Sequence, residues 1–226
     1  MKKFFLSVVA LTAFSFTAQA QVSIIPKAGL TISNVAFKEE EEGQKSTTGF
    51  LVGAGFNFPL SEDGFFSIQP ELLYIQKGFG GESTNNGINS KTDNHFNYLE
   101  LPLLAKISFG SETVKGYVNA GPSIGYALNG KLSSGGISVA YKFGKEPSNY
   151  NGSDIYVDAN RLDFGLQFGG GVGFQVGPGS LLLDLRYGYG LTHLLKEQTG
   201  QQSGDNKSQN RVIAISLGYA IPLGGQ

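Results

Sequence analysis

The chain of 226 residues has no cysteine, two histidines, and only 15% charged residues. Without cysteine no disulfide can brace the fold, although an exported chain is free to use them. The charged share falls well below the usual quarter or so. A formal net charge of −1 gives no basis for nucleic acid or another polyanionic partner. Beyond the first residues, no segment is long and apolar enough for a spanning helix, which needs about 20 residues. Amphipathic helical periodicity is missing throughout, which leaves an all-β chain. What the sequence has in excess is glycine, 33 residues, roughly twice the usual share.

The start of the chain reads as a leader. Met1-Lys2-Lys3 is a positive n-region, Phe4 to Phe16 an apolar h-region, and Ala18-Gln19-Ala20 a small-x-small cleavage site. The apolar run is too short to anchor the chain across a membrane. Residues 1–20 are therefore expected to be a cleaved signal peptide, and 21–226 a single domain. With no cysteine at or after the cleavage site, no lipoprotein anchor is expected.

Period-two alternation then recurs along the chain. Leu181 to Leu191 shows it plainly: Leu181, Leu183, Leu185, Tyr187, Tyr189 and Leu191 share one face, and Leu182, Asp184, Arg186, Gly188 and Gly190 the other. The same pattern runs over Ile24–Ile32, Phe50–Phe58, Phe65–Lys77, Tyr98–Phe109, Gly116–Leu128, Arg161–Val176 and Arg211–Leu223. This predicts about eight strands. Short turns fall at Leu60–Gly64, Gly110–Val114 and Gly177–Gly179. Long polar loops are expected at Phe37–Gly43, Gly78–Phe96, Asn129–Asn160 and Thr192–Asn210, the third with a short hairpin of its own around Ile137–Phe143.

Short and long connections alternate, so an up-and-down barrel collects all long loops at one end. The expected fold is all-β: an eight-stranded antiparallel up-and-down transmembrane β-barrel with short periplasmic turns and long extracellular loops. Three features favour the apolar face as the lipid face. The opposite face is glycine-rich, as at Gly165, Gly169, Gly171 and Gly173, and suits a crowded lumen better than a hydrated surface. Each apolar face lasts about ten residues, enough for a tilted strand to cross. Aromatics sit near strand ends: Phe58, Phe66, Phe109, Phe174 and Tyr219 at the short-turn end, Phe50, Tyr74, Tyr126, Phe164 and Tyr189 at the long-loop end. Two girdles result. The lumen then receives Lys27, Glu71, Lys77, Glu100, Lys106, Asp163, Asp184 and Arg186. Buried charges need partners, so an ion-pair network filling the lumen is expected, with Asp184 and Arg186 as its first pair.

The segments PKAGLTISN (Pro26–Asn34), FSIQPELLYIQKGF (Phe66–Phe79), YLELPLLAKISF (Tyr98–Phe109), VNAGPSIGYAL (Val118–Leu128), DFGLQFGGGVGF (Asp163–Phe174) and LRYGYGLTHL (Leu185–Leu194) resemble the PorT-like outer-membrane β-barrel family of Bacteroidetes. The resemblance covers essentially the whole mature chain. It implies an outer-membrane location, an eight-stranded barrel, and a link to type IX secretion machinery. Such barrels usually end in an aromatic residue; here the end reads Tyr219-Ala-Ile-Pro-Leu-Gly-Gly-Gln226, so Tyr219 or Leu223 must serve.

Catalytic chemistry has few carriers. His95 and His193 both fall at the long-loop end, with Asp93 near the first and Ser203 and Asp205 after the second; a Ser/His/acid site there would make the barrel a lipid or peptide hydrolase. No nucleophile motif surrounds either histidine. Glu39 to Glu42 read as a solvated loop, and with the histidines they show no metal-ligand spacing. Gly169-Gly170-Gly171-Val172-Gly173 has no following helix, which excludes a phosphate loop. Asn151-Gly152-Ser153 is a glycosylation sequon of little meaning in a bacterial exported chain. The leading expectation is a small integral outer-membrane protein without catalysis or cofactor, in contact with membrane lipid and presenting loops to a surface or envelope protein. The alternatives are an outer-membrane hydrolase and a soluble periplasmic lipocalin-like barrel holding an apolar ligand.

Overall fold

The computed structural model describes residues 22–36, 44–85, 88–135, 137–144, 155–157, 160–192 and 209–224. Its strands are β1 (Ser23–Ala36), β2 (Gln44–Lys45), β3 (Thr47–Pro59), β4 (Phe66–Asn85), β5 (Ile88–Gly110), β6 (Val114–Ser134), β7 (Ile137–Phe143), β8 (Ile155–Val157), β9 (Leu162–Val176), β10 (Gly179–Gly190) and β11 (Gln209–Pro222). Eight of them form a closed antiparallel ring in the order β1, β3, β4, β5, β6, β9, β10, β11. The ring shuts where β1 meets β11, from Ser23 opposite Pro222 to Ala36 opposite Gln209. Closure leaves no open sheet edge within the wall, which hydrocarbon demands of any strand that crosses it.

The three turns at one end are tight. Between β3 and β4, Leu60 donates to the Phe66 carbonyl at 2.9 Å, and Gly64 adopts φ 68° to reverse the chain. Between β5 and β6, Ser111 donates to the Val114 carbonyl at 2.9 Å. Between β9 and β10, Gly177 takes φ 61° ahead of Pro178. That left-handed conformation is open to glycine at little cost.

The apolar set faces outward. Leu30 is 69% exposed, Leu217 56% and Phe164 50%. A continuous apolar belt of this kind would be an aggregation surface in water, but it matches the hydrocarbon of a membrane. This overturns the lipocalin-like alternative, which needs the apolar set inside. The inward set mixes polar residues and glycine with two groups of buried apolar side chains. A Cβ placed on Gly53, Gly121, Gly169 or Gly171 would run into the carbonyl oxygen of Leu72, Leu103, Leu185 or Leu183 on the adjoining strand. Glycine there lets the strands of a narrow barrel approach and leaves room for larger residues opposite.

Two expected loops are strand instead. The stretches Gly78–Asn85 and Ile88–Phe96 continue β4 and β5, paired without a break from Gln76 opposite Asn97 to Asn85 opposite Ile88. Outside the membrane neither face of a strand meets lipid, so the apolar/polar contrast that marks a strand is lost. The dipeptide Asn86-Gly87 between the paired ends is the usual composition of a tight hairpin and was the available signal. Likewise β6 continues past Asn129 to Ser134, and β7 pairs with that extension, Ser134 opposite Ile137. The hairpin at Ile137–Phe143 is thus made with β6, and β8 adds to β7 in parallel. β2 caps the other flank, against Gly80 and Gly81 of β4.

Candidate functional site: the charged lumen

Along its axis the lumen is built in layers. At the long-loop end, Leu51, Ile75, Phe96, Tyr98, Ala127, Phe143 and Val212 form a buried apolar cluster, with Phe79 and Ala214 packed against it. Near the short-turn end a smaller cluster joins Ile25, Tyr117 and Leu182. Between them lie the charges.

All eight charged residues assigned to the inward face are buried there. Glu71 is the hub. Lys27 Nζ reaches its Oε1 at 3.0 Å, and Arg186 Nη1 reaches its Oε2 at 2.7 Å and Nη2 its Oε1 at 3.3 Å. Gln69 Nε2 donates to the same carboxylate at 2.6 Å. Arg186 also pairs with Asp184 at 3.2 Å and donates to Gln167 at 3.3 Å. Asp184 accepts from Tyr117 Oη at 3.1 Å and Asn119 Nδ2 at 3.2 Å. Gln167 then donates to Glu100 Oε1 at 2.9 Å, which links this group to a second one. There Lys77 sits 3.0 Å from Glu100 and 3.3 Å from Asp163 and lies over the Tyr98 ring, while Asn210 donates to Asp163 at 2.9 Å.

The pairing is mostly across the barrel rather than along a strand. Asp184 and Arg186 do touch, but Glu71, 115 residues away, takes the arginine's shorter contact. Lys106 stands apart: its ammonium donates to Gln69 at 3.3 Å and lies 4.1 Å from the Tyr117 ring centroid. A cavity of about 30 Å³ remains beside the network, lined by Ser123, Asp163, Gln167, Arg186 and Asn210 among others. It has space for roughly two waters. Among the described residues Asp163 Oδ1 and Arg186 Nε have no hydrogen-bond partner and are polar atoms such waters would serve.

The ten aromatics expected as girdles all lie on the outward-facing side of their strands. Phe58, Phe66, Phe109, Phe174 and Tyr219 sit near the tight turns, and Tyr219 Oη donates to the Val176 carbonyl at 2.8 Å. At the other end Phe50 stacks on Tyr74 with centroids 5.8 Å apart, Arg161 donates to Tyr126 Oη at 3.0 Å, and Arg211 covers the Tyr189 ring at 3.6 Å. Phe164 stands opposite Ile124. Aromatics are not confined to the rims, because Phe168 and Tyr187 pair at 5.2 Å within the wall. Sequence reading also missed the lumen aromatics. Tyr98 and Tyr117 stood at inward positions of expected strands with nothing to mark them as plugs, and Phe96 and Phe143 fell in stretches expected as loops.

His95 lies on the β4–β5 hairpin, opposite Gly78 and Lys131. Burial lowers its pKa below the ordinary histidine value, with Asp93 opposing that shift and Lys131 adding to it. Asp93 itself is engaged by Thr47 at 3.4 Å and Lys91 at 3.5 Å. His193, Ser203, Asp205, Glu39–Glu42 and the Asn151 sequon lie outside the described residues. Gly169–Gly173 is a run of wall in β9.

Solved structures of similar shape include Neisserial surface protein A, at 15% identity over 89% of this chain and 99% of that one, TM-score 0.49. OprG from Pseudomonas aeruginosa matches at 14% identity over 90% and 97%, TM-score 0.48. Ail, the attachment invasion locus protein of Yersinia pestis, matches at 18% over 90% and 99%, TM-score 0.42. No curated protein matches the chain. Residues 17–196 match the family described as the outer membrane protein beta-barrel domain. With an apolar belt outside, a charged lumen inside and a closed ring between them, this chain belongs to that family and is a small β-barrel of the outer membrane.

Proposed function

We propose that this barrel is a closed, non-catalytic anchor whose working surface is its extracellular sheet. One observation carries the reading: the β4–β5 hairpin continues past the outer girdle at Tyr74 to Asn85, while the lumen beneath is filled by paired charges between two apolar clusters. Eleven residues at about 3.3 Å each, tilted by about 40°, raise the hairpin tip roughly 25–30 Å above that girdle. β2 stiffens one flank, and β6–β8 extend the sheet on the other. The occupant of this surface is a second envelope protein. The resemblance to PorT-like barrels supports an envelope complex, and a secretion apparatus is one such assembly.

The test replaces residues 80–93 with a two-residue Asn-Gly turn. The shortened barrel keeps its heat-modifiable gel mobility but loses the protein that co-purifies with the full chain from cross-linked outer membranes. Unchanged recovery of that partner refutes the surface assignment. Large, steady single channels from the intact barrel in planar bilayers refute the closed lumen.

A further inference from the structure

Of the four lumen cations, three form ion pairs among the described residues, and Lys106 is the exception. Its ammonium has one hydrogen bond, to Gln69 at 3.3 Å, and one ring contact, to Tyr117. Two of its three N–H donors are left for other partners. Asp184, held by the Tyr117 hydroxyl, is already engaged by Arg186, Tyr117 and Asn119. Lys106 is 7% exposed. A cation so little exposed needs a counter-charge or an organised solvent shell.

The side chain lines a chamber of about 360 Å³ that opens between the short turns, at the periplasmic end. Small-molecule sites run from about 300 to 1,000 Å³. The chamber's inner end is closed by Tyr117, Ile25 and Leu182 with Lys106 beside them, so whatever enters meets the ammonium last. Lys115 adds a second, exposed cation nearer the mouth, with the acids Glu112 on the lining and Asp63 within reach of its charge. Asn57, Ser108 and Gln175 line the wall between.

We propose that this chamber binds a small oxyanion, a phosphate or carboxylate, with Lys106 as the inner ligand and Lys115 guiding entry. The site is separate from the extracellular sheet and does not rest on that sheet's role. It gives the barrel a periplasmic face with its own chemistry.

The experiment titrates the refolded, isotope-labelled barrel in detergent micelles with sodium phosphate, with sodium acetate, and with sodium chloride at matched ionic strength. Saturable shifts at the Ser108 and Gln175 amides with phosphate or acetate, absent with chloride and absent from the hairpin amides, support the site. Lys106→Met weakens that binding at least tenfold, and Lys115→Met weakens it less. Heat-modifiable mobility establishes that each variant is folded. Should Lys106→Met fail to fold, the wild-type titration and Lys115→Met decide. Shifts that grow linearly, that chloride reproduces, or that persist unchanged in folded Lys106→Met overturn the proposal.

Discussion

Arg186→Met tests the lumen most directly. The change keeps an unbranched apolar stem, shortens the side chain and removes the charge. Glu71 loses contacts of 2.7 and 3.3 Å and keeps Lys27 and Gln69. Asp184 loses its ion pair at 3.2 Å and keeps two hydrogen bonds. Both carboxylates are buried, so neither recovers the loss from bulk water. Removing one partner of a buried pair costs about 3–5 kcal/mol, a folding constant lower by roughly a hundred- to several-thousand-fold. The double variant Arg186→Met/Asp184→Asn restores electroneutrality while an amide oxygen still accepts from Tyr117, so it recovers at least half of the loss. The chain has no tryptophan, so urea unfolding in lipid vesicles is followed by circular dichroism and heat-modifiable mobility. If Arg186→Met lies within about 1 kcal/mol of wild type, as a solvent-exposed pair would, the lumen is wet and the reasoning fails.

Three further substitutions separate wall from lipid face. Gly171→Ala forces a Cβ into the Leu183 carbonyl and to 2.5 Å from Tyr117 Oη; it costs about 1–3 kcal/mol by overpacking. Gly188→Ala, whose nearest neighbour would be Val212 Cβ at 3.7 Å, stays within about 0.5 kcal/mol; equal urea midpoints for the two refute the crowded-wall account. Leu185→Arg, on a side chain 55% exposed to lipid, costs about 2–4 kcal/mol in vesicles. No loss there means that Leu185 does not face hydrocarbon.

The wall was legible because lipid on one side and a narrow lumen on the other impose maximal contrast on alternate residues. Leu183 and Leu185 against Asp184 and Arg186 read directly as out and in. The identities of the lumen charges followed from the same parity. Their partners did not. Which side chains meet across a barrel depends on strand tilt and stagger, and Glu71 meets Arg186 only because β4 and β10 bring them to one level. The same ignorance hid the isolation of Lys106. Beyond the membrane the contrast vanishes, which is why Gly78–Phe96 looked like loop although both its flanks are paired strand.

The pairing also constrains how the barrel is made. The buried inward charges of β1 to β5 are Lys27, Lys77 and Lys106 against Glu71 and Glu100, three minus two, or +1; those of β6 to β11 are Arg186 against Asp163 and Asp184, one minus two, or −1. Neither half is neutral, and the halves complement each other. Glu71 waits for Arg186 on β10, and Lys77 for Asp163 on β9. A half-inserted chain would carry unmatched charge into lipid, so the ordered route to the membrane is one in which β9 to β11 arrive before the first strands leave a wet environment. Biogenesis then becomes a nearly all-or-none closure, with the zipper of β1 against β11 as its last step.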